Sequence, residues 1–272
     1  MMISLGIAGA SMLVMAVIFS YILGWANKKF KVEVDPKIEA VIEALPGVNC
    51  GGCGYLGCSD YAVAIVMDND AVNKCTVGGK ACAKELARIM GVDVGEMVPM
   101  QAIVHCNAPL SSRLGLTQYK GEQRCATAQQ VAGVQACTFG CLGFGDCVQA
   151  CNYDAIHIVD GLARVDYEKC IGCGACAKVC PRGIISIEGF KEEAIPVVAC
   201  SNKDKAKDAK AACKNACIGC KACTKVSDLF TISDNLSKCN YDDYSARKRE
   251  EAMKAIEKCP TGCIHFVGTQ LE

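Results

Sequence analysis

Aromatic residues and net charge are both scarce in this sequence. Aromatic side chains make up 6% of the 272 residues, and 29 basic side chains are balanced by 29 acidic ones. Large hydrophobic cores are therefore not expected, and zero formal charge does not favour nucleic acid as a partner. No nucleophile–base pair, P-loop or dinucleotide glycine fingerprint occurs. The sequence thus predicts no side-chain catalysis of its own.

Charge is entirely missing from the amino-terminal segment 1–27. Residues 3–26 are almost wholly apolar and, at 1.5 Å per residue, are long enough to cross a hydrocarbon layer of about 30 Å. Tyr21 and Trp25 stand near its end, and lysines 28, 29 and 31 follow. We predict a transmembrane anchor at 1–27 that makes this a single-pass cell-membrane protein with its soluble body on the cytoplasmic side. The alternative, a cleaved signal peptide, lacks the expected positive charge before the apolar stretch and the cleavage site after it.

Cysteine is what the sequence has in abundance: 23 residues in five spaced groups. The tightest group reads Cys170-Ile-Gly-Cys173-Gly-Ala-Cys176-Ala-Lys-Val-Cys180-Pro181. This is the C-x2-C-x2-C-x3-C-P run of bacterial ferredoxins, whose fourth cysteine ligates the other cluster of a pair. A zinc ribbon needs two well-separated C-x2-C pairs, and a disulfide scaffold fits neither the odd count nor the spacings. The pattern predicts [4Fe–4S] clusters and electron transfer in a reducing cytoplasm.

Segment 33–92 is predicted to form a small helical domain around one cluster. Asp35 and Pro36 fit the N-cap and first position of a helix, and Ser59 fits the cap of the next one. One complete four-thiolate set falls in this segment: Cys50, Cys53, Cys58 and Cys75. The glycines around it allow backbone N–H groups to reach the sulfurs. Cys82 is predicted to be a core residue rather than a ligand.

From residue 104 onward the chain repeats itself. Residues 140–151 align without gaps on residues 216–227. Three further pairs of cysteines match: Cys106 with Cys200, Cys137 with Cys213, and Cys180 with Cys259. We predict tandem ferredoxin-like modules at 104–190 and 197–268, with short strands at 155–159, 184–187 and 264–267. The predicted fold class is α+β: one transmembrane helix, a small helical iron–sulfur domain, then the two modules.

The ferredoxin crossover rule assigns the ligands of the first module. One predicted set is Cys170, Cys173 and Cys176 with Cys151 as the fourth ligand. The other contains Cys141, Cys147 and Cys180. Because Phe144 stands where its remaining cysteine is expected, we assign Cys137 to complete that set.

The second module is predicted to keep one cluster, since Ser227 replaces the crossover cysteine and only Cys239 is left of the second motif. Its ligands would be Cys217, Cys220, Cys223 and Cys259. Four other cysteines form either a fifth cluster where the modules meet or ordinary buried thiols: Cys106, Cys125, Cys200 and Cys213. Cys263 and the three isolated histidines are predicted to be structural. The sequence therefore predicts four [4Fe–4S] clusters and a candidate fifth.

The anchor, the Cys50–Cys75 group and the ferredoxin modules together resemble the B subunit of the Rnf complex over essentially the whole chain. The most specific stretches are Asn49-Cys-Gly-Gly-Cys53-Gly-Tyr-Leu-Gly-Cys58 and Lys74-Cys75-Thr-Val-Gly-Gly79. The resemblance implies an ion-translocating ferredoxin:NAD oxidoreductase complex, with reduced ferredoxin as donor and multi-span membrane and flavin or iron–sulfur subunits as partners. Phe144 and Ser227 depart from the plain ferredoxin pattern.

Two other functions remain open on the residues alone. One is a stand-alone membrane polyferredoxin that serves another reductase, which co-purification with multi-span and flavin subunits would distinguish. The other is a non-catalytic, zinc-binding scaffold, which would be colourless and free of acid-labile sulfide.

Overall fold

The computed structural model describes residues 2–30, 35–95, 97–115, 117 and 119–269, and leaves the side chains of residues 1–8 and 11 undescribed. Within these ranges nine α-helices and eight strands are formed. The helices are α1 (Met2–Lys29), α2 (Pro36–Ala44), α3 (Cys58–Met67), α4 (Gly79–Met90), α5 (Cys125–Ala128), α6 (Asp146–Gln149), α7 (Ala175–Val179), α8 (Ala206–Ala212) and α9 (Arg249–Glu257). The strands are β1 (Met100–Val104), β2 (Ile156–Val159), β3 (Leu162–Val165), β4 (Ile185–Gly189), β5 (Ala194–Val198), β6 (Phe230–Ser233), β7 (Leu236–Cys239) and β8 (Ile264–Gly268).

Helix α1 contains 28 residues, and its described apolar side chains, such as Leu13, Phe19 and Ile22, are exposed. Among the described residues, no helix combines the length and the hydropathy needed to cross a membrane. The predicted anchor at 1–27 falls partly on residues outside the described part, and Lys31 lies outside it as well.

Helices α2, α3 and α4 pack around a shared apolar core. Its centre is formed by Val41, Ile65 and Leu86, all fully buried. Helix α2 starts as predicted: Asp35 Oδ1 accepts a 2.8 Å hydrogen bond from the Lys37 N–H, and Pro36 is the first helical residue. This capping arrangement satisfies a backbone donor that the helix itself cannot satisfy.

The eight strands form four antiparallel pairs, in the same order in both repeats. The first repeat pairs β1 with β4 and β2 with β3, and the second pairs β5 with β8 and β6 with β7. Along the chain of each repeat, a hairpin therefore lies between the two strands that form the other pair. The predicted strands at 155–159, 184–187 and 264–267 coincide with β2, β4 and β8, which confirms those three predictions.

The two repeats share their cores. Ile103 of β1 is fully buried in a cluster with Ile195 and Val197 of β5, whereas Ala209 of α8 is buried in the core of the first repeat. His105 adds a polar contact, because its Nδ1 donates to Val198 O at 3.0 Å. Packing of this kind fixes the position of one repeat on the other.

Two backbone segments also pair across this boundary. The Leu114 N–H donates to Ala212 O, and the Lys214 N–H donates to Ser112 O, each at 3.0 Å. These bonds hold the region after β1 against the end of α8. Cys106, which follows β1, and Cys213, which follows α8, thereby line the same cavity.

Candidate iron–sulfur sites

The amino-terminal set lies where the loop before α3 meets the loop before α4. Cys58 is the first residue of α3, and its N–H donates to Asn49 Oδ1 at 2.7 Å. Backbone N–H groups approach two of the sulfurs, Gly52 to Cys50 Sγ at 3.4 Å and Gly78 to Cys75 Sγ at 3.3 Å. Cys53, Cys58 and Cys75 contact the same apolar core.

Cys82 is buried beside this set, as expected of a core residue. Its thiol lies 3.4 Å from Ala44 O and within hydrogen-bond reach of Cys75. A hydrogen bond from Cys82 holds the pKa of the Cys75 thiol well below its ordinary value, although burial acts in the opposite direction. Cys75 is therefore favoured as the thiolate, the form that binds iron.

In the first module, the four thiols of one predicted set line a single cavity of about 360 Å³, counting its mouth: Cys151, Cys170, Cys173 and Cys176. The Ala102 N–H and the Ala155 N–H approach the sulfurs of Cys170 and Cys151, each at 3.4 Å. The structure thus brings this set together around one space.

The second site of this module brings together three of its four predicted thiols. Cys141 and Cys147 are buried and share a core with Cys180. Burial, together with neighbouring thiols that include Cys125, raises the pKa of Cys147 to about 12. Cys137, which the sequence assigned here, instead lines a cavity between the two modules.

The position of Cys125 follows from a buried acid that the sequence analysis did not single out. Asp146, 6% exposed, accepts hydrogen bonds from the N–H groups of Cys125 (2.8 Å) and Ala126 (3.0 Å). These bonds fix the start of α5 against the start of α6. Phe144, in place of a cysteine, packs beside this segment and contacts Tyr119, with ring centroids 5.4 Å apart. The segment that contains α5 thus brings Cys125 next to Asp146, the residue before Cys147.

In the second module all four predicted thiols line one cavity of about 300 Å³, counting its mouth: Cys217, Cys220, Cys223 and Cys259. The Ser237 N–H approaches Cys217 Sγ at 3.5 Å. Cys263, 2% exposed, lines the same cavity, with its sulfur 3.6 Å from Cys259 Sγ. Hydrogen bonding to Cys263 lowers the pKa of Cys259 to about 5. Cys263 is therefore a buried core residue, as predicted, and its thiol also contacts a predicted ligand.

A further cavity of about 390 Å³, counting its mouth, lies between the modules and is lined by four thiols: Cys106, Cys137, Cys200 and Cys213. Three of these belong to the predicted fifth set. The remaining member of that set, Cys125, is not part of the lining, because its contact with Asp146 holds it beside α6.

The amino-terminal site lies against the first module. A Cβ atom on Gly52 would be 3.2 Å from Cys173 O, and Lys178 Nζ donates to Cys50 O at 3.1 Å. Cysteine-bearing loops of the two sites are therefore in direct contact.

The donor sets and their surroundings fit iron–sulfur clusters. All 23 cysteines lie in the described part and are free thiols, so no disulfide scaffold is formed. Soft thiolate ligands and backbone N–H groups directed at them are typical of Fe–S sites. Within the described residues, no three His, Cys, Asp or Glu side chains are placed to hold a single metal ion.

Three protein families match separate parts of the chain. A putative Fe-S cluster family matches residues 45–77, which contain all four cysteines of the amino-terminal set. A 4Fe-4S binding domain matches residues 163–186, and the 4Fe-4S single cluster domain of ferredoxin I matches residues 214–266.

Relatives match over most of the chain. The B subunit of the Na(+)-translocating ferredoxin:NAD(+) oxidoreductase complex of Acetobacterium woodii is 40% identical over 97% of this chain and 77% of its own length. The B subunit of the proton-translocating ferredoxin:NAD(+) oxidoreductase complex of Clostridium ljungdahlii is 34% identical over 96% and 93%. The B subunit of the ion-translocating oxidoreductase complex of Methanosarcina acetivorans is 38% identical over 71% and 73%. With this likeness along nearly its whole length, the chain belongs to the family of Rnf complex B subunits.

Proposed function

We propose that this chain is the iron–sulfur electron-transfer subunit of an ion-translocating ferredoxin:NAD oxidoreductase complex. In this proposal it accepts electrons from reduced ferredoxin and passes them to multi-span membrane and flavin or iron–sulfur partners, which deliver them to NAD. The observation that carries the proposal is the contact between successive cysteine sites, where Gly52 meets the backbone of Cys173.

Bound [4Fe–4S] clusters supply one-electron chemistry, and the chain holds, spaces and tunes them. Spacing comes from contacts such as the one between Lys178 and Cys50 O. Tuning comes from N–H groups directed at sulfur, among them those of Gly52, Gly78 and Ala102. Each such hydrogen bond stabilises added negative charge and therefore favours the reduced state. Four predicted sets support four clusters.

We further propose that α1 anchors the chain in the cell membrane as a single pass, with the modules on the cytoplasmic side. Segment 1–27 is uncharged, and exposed apolar side chains such as Leu13 and Ile22 need a nonpolar surrounding. Lys28 and Lys29 at the end of the helix favour a cytoplasmic location for the residues that follow.

The donor is tested by an anaerobic absorbance titration of the reconstituted full chain, in detergent, with catalytic amounts of enzymatically reduced ferredoxin. Rapid bleaching of the visible absorbance is the expected result. The zinc-loaded chain is the control, because it cannot accept electrons. Bleaching by a strong chemical reductant but not by ferredoxin would instead favour a polyferredoxin that uses another donor.

The anchor is tested by replacing Leu13 with Arg, which at the centre of a spanning helix costs about 2.5–3.5 kcal/mol. We expect the variant to leave the membrane fraction. The matched control is Phe30→Arg, since Phe30 follows the last residue of α1 and is similarly exposed. Equal membrane retention of both variants would argue against the anchor.

A further inference from the structure

Four cysteines surround a cavity formed jointly by the two modules. Cys106 and Cys137 come from the first repeat, and Cys200 and Cys213 come from the second. Unrelated buried thiols would be expected to pack into separate parts of the core. These four line one space.

The four thiols are related by the internal repeat. Cys106 corresponds to Cys200, and Cys137 corresponds to Cys213. The contacts correspond as well: the Cys141 N–H approaches Cys106 Sγ at 3.4 Å, and the Cys217 N–H approaches Cys200 Sγ at 3.2 Å. Each repeat therefore contributes an equivalent pair of sulfurs, one of them already hydrogen-bonded by the backbone.

Asn202 supplies further donors to these sulfurs. It is 1% exposed, its backbone N–H lies 3.4 Å from Cys200 Sγ, and its Nδ2 lies 3.6 Å from Cys137 Sγ. Burying an amide costs free energy unless the amide is hydrogen-bonded. A thiolate-bound cluster would accept these hydrogen bonds more strongly than neutral thiols can, because charge strengthens hydrogen bonds.

A buried positive charge forms part of the cavity wall. Arg113 is 9% exposed and donates to Ala108 O at 2.8 Å, Gly161 O at 2.6 Å and Gln135 Oε1 at 3.5 Å. None of these partners is charged, and among the described residues no carboxylate pairs with Arg113. A buried guanidinium needs a countercharge, which four thiolates around iron and sulfide would provide.

The space is similar to that of the other sites. The interface cavity measures about 390 Å³, compared with about 360 Å³ and 300 Å³ for the two cavities that complete predicted sets line, each counted with its mouth. The three sets of thiols therefore surround spaces of comparable size.

We propose that Cys106, Cys137, Cys200 and Cys213 bind a fifth [4Fe–4S] cluster at the interface of the two modules, and that Cys125 completes the set of Cys141, Cys147 and Cys180. The interface cluster would lie between the remaining sites of the two modules, since Cys141 and Cys217 each contact one of its ligands. The inference rests on the proposed function in taking [4Fe–4S] as the cofactor.

The grouping is tested by counting iron and acid-labile sulfide in the full chain after anaerobic reconstitution. The wild type should hold about 20 iron atoms, four for each of five clusters, and C137A and C213A should each lose about four. Ligands of the same cluster are not additive. The double variant C137A/C213A should therefore also lose about four, whereas C125A/C213A should lose about eight. Cys239→Ala, which removes a partly buried thiol outside every set, should lose none.

Other outcomes separate the ways of failing. About 16 iron atoms in the wild type, with no loss in C213A, would refute the interface cluster and leave the proposed function intact. A loss of about eight in C137A/C213A would return Cys137 to the set of Cys141. A colourless protein without sulfide would refute both proposals. If C213A does not fold, two measurements still test the proposal. One is the iron count of the wild type, and the other is the comparison of C137A, which should lose about four iron atoms, with C125A/C137A, which should lose about eight.

Discussion

Asp146 is predicted to control the iron content of one site without touching iron itself. Its carboxylate accepts the N–H groups of Cys125 and Ala126. Asp146→Ala would leave these two donors, at the buried start of α5, without a partner. At about 1–3 kcal/mol for each unsatisfied buried donor, and with some relief from removing a buried carboxylate, the cost is about 3 kcal/mol.

Borne entirely by cluster binding, a cost of about 3 kcal/mol would lower the affinity of the cluster proposed to include Cys125 by at most about 150-fold. Asp146→Asn keeps one carbonyl acceptor and should therefore lie between wild type and Asp146→Ala. The exposed Asp208 of α8 provides a control of the same charge, and Asp208→Ala should have no effect.

The assay challenges anaerobically reconstituted protein with increasing concentrations of an iron chelator and measures the iron that is retained. Asp146→Ala should lose about four iron atoms at chelator concentrations that leave the wild type intact, with the Asn variant in between. An Asp146→Ala protein that retains iron like the wild type would refute the view that this carboxylate positions a ligand.

Three further predictions address packing, titration and potential. Gly143→Ala should destabilise the first module by about 1–3 kcal/mol in denaturant unfolding, because at φ +83° the new Cβ would lie 2.3 Å from Gly161 O. Gly133→Ala is the control: Gly133 has a similar φ of +79° but lies in open space, so this variant has the conformational strain without the clash. Burial lowers the pKa of His265 below its ordinary 6.5, so the imidazole binds a proton more readily in the unfolded chain than in the folded one. The free energy of unfolding should therefore fall as the pH drops below about 6.5 and level off above it. Urea unfolding at several pH values should show this slope weakened in His265→Leu but retained in His157→Leu, whose side chain is more exposed; equal slopes would contradict the assignment. Cys263→Ala should keep its iron but shift the reduction potential of the second-module cluster to more negative values, because a hydrogen-bond donor to Cys259 is lost. The potential is measured in a redox titration followed by electron paramagnetic resonance, with Cys239→Ala as the control. An unchanged potential in Cys263→Ala would refute a tuning role for Cys263.

Local patterns predicted the parts of this fold that depend on neighbouring residues. Asp35 and Pro36 start α2 because a cap acts over two or three residues. The strands after the cysteine motifs were also predictable, because each is marked by a short apolar stretch of neighbouring residues. The prediction that Ser59 caps α3 was wrong, since the helix begins at Cys58 and its first N–H is satisfied by Asn49, nine residues earlier. A capping side chain that comes from a distant loop, as Asn49 does, cannot be recognised from the residues at the start of the helix.

The surroundings of the sites were harder to predict than the thiols. Sequence spacing groups cysteines along the chain, and it cannot tell Cys125 from Cys137 when Phe144 interrupts the motif. The structure separates them by a contact over 21 residues, between Asp146 and Cys125, and by one over 65 residues, between Asn202 and Cys137. Both depend on how the segment with α5 and the second module fold onto the rest of the first module.

The shared cores make each repeat part of the packing of the other. Ile103 is buried against β5, and Ala209 is buried in the core of the first repeat, so each module completes the packing of the other. The same interface brings Cys106 and Cys137 to Cys200 and Cys213. Ser227 stands where the crossover cysteine is expected, yet the second module has the four thiols of its predicted set and two more at the interface. Because Cys200 and Cys213 line a cavity together with thiols of the first module, packing unites the repeats into one electron-transfer unit.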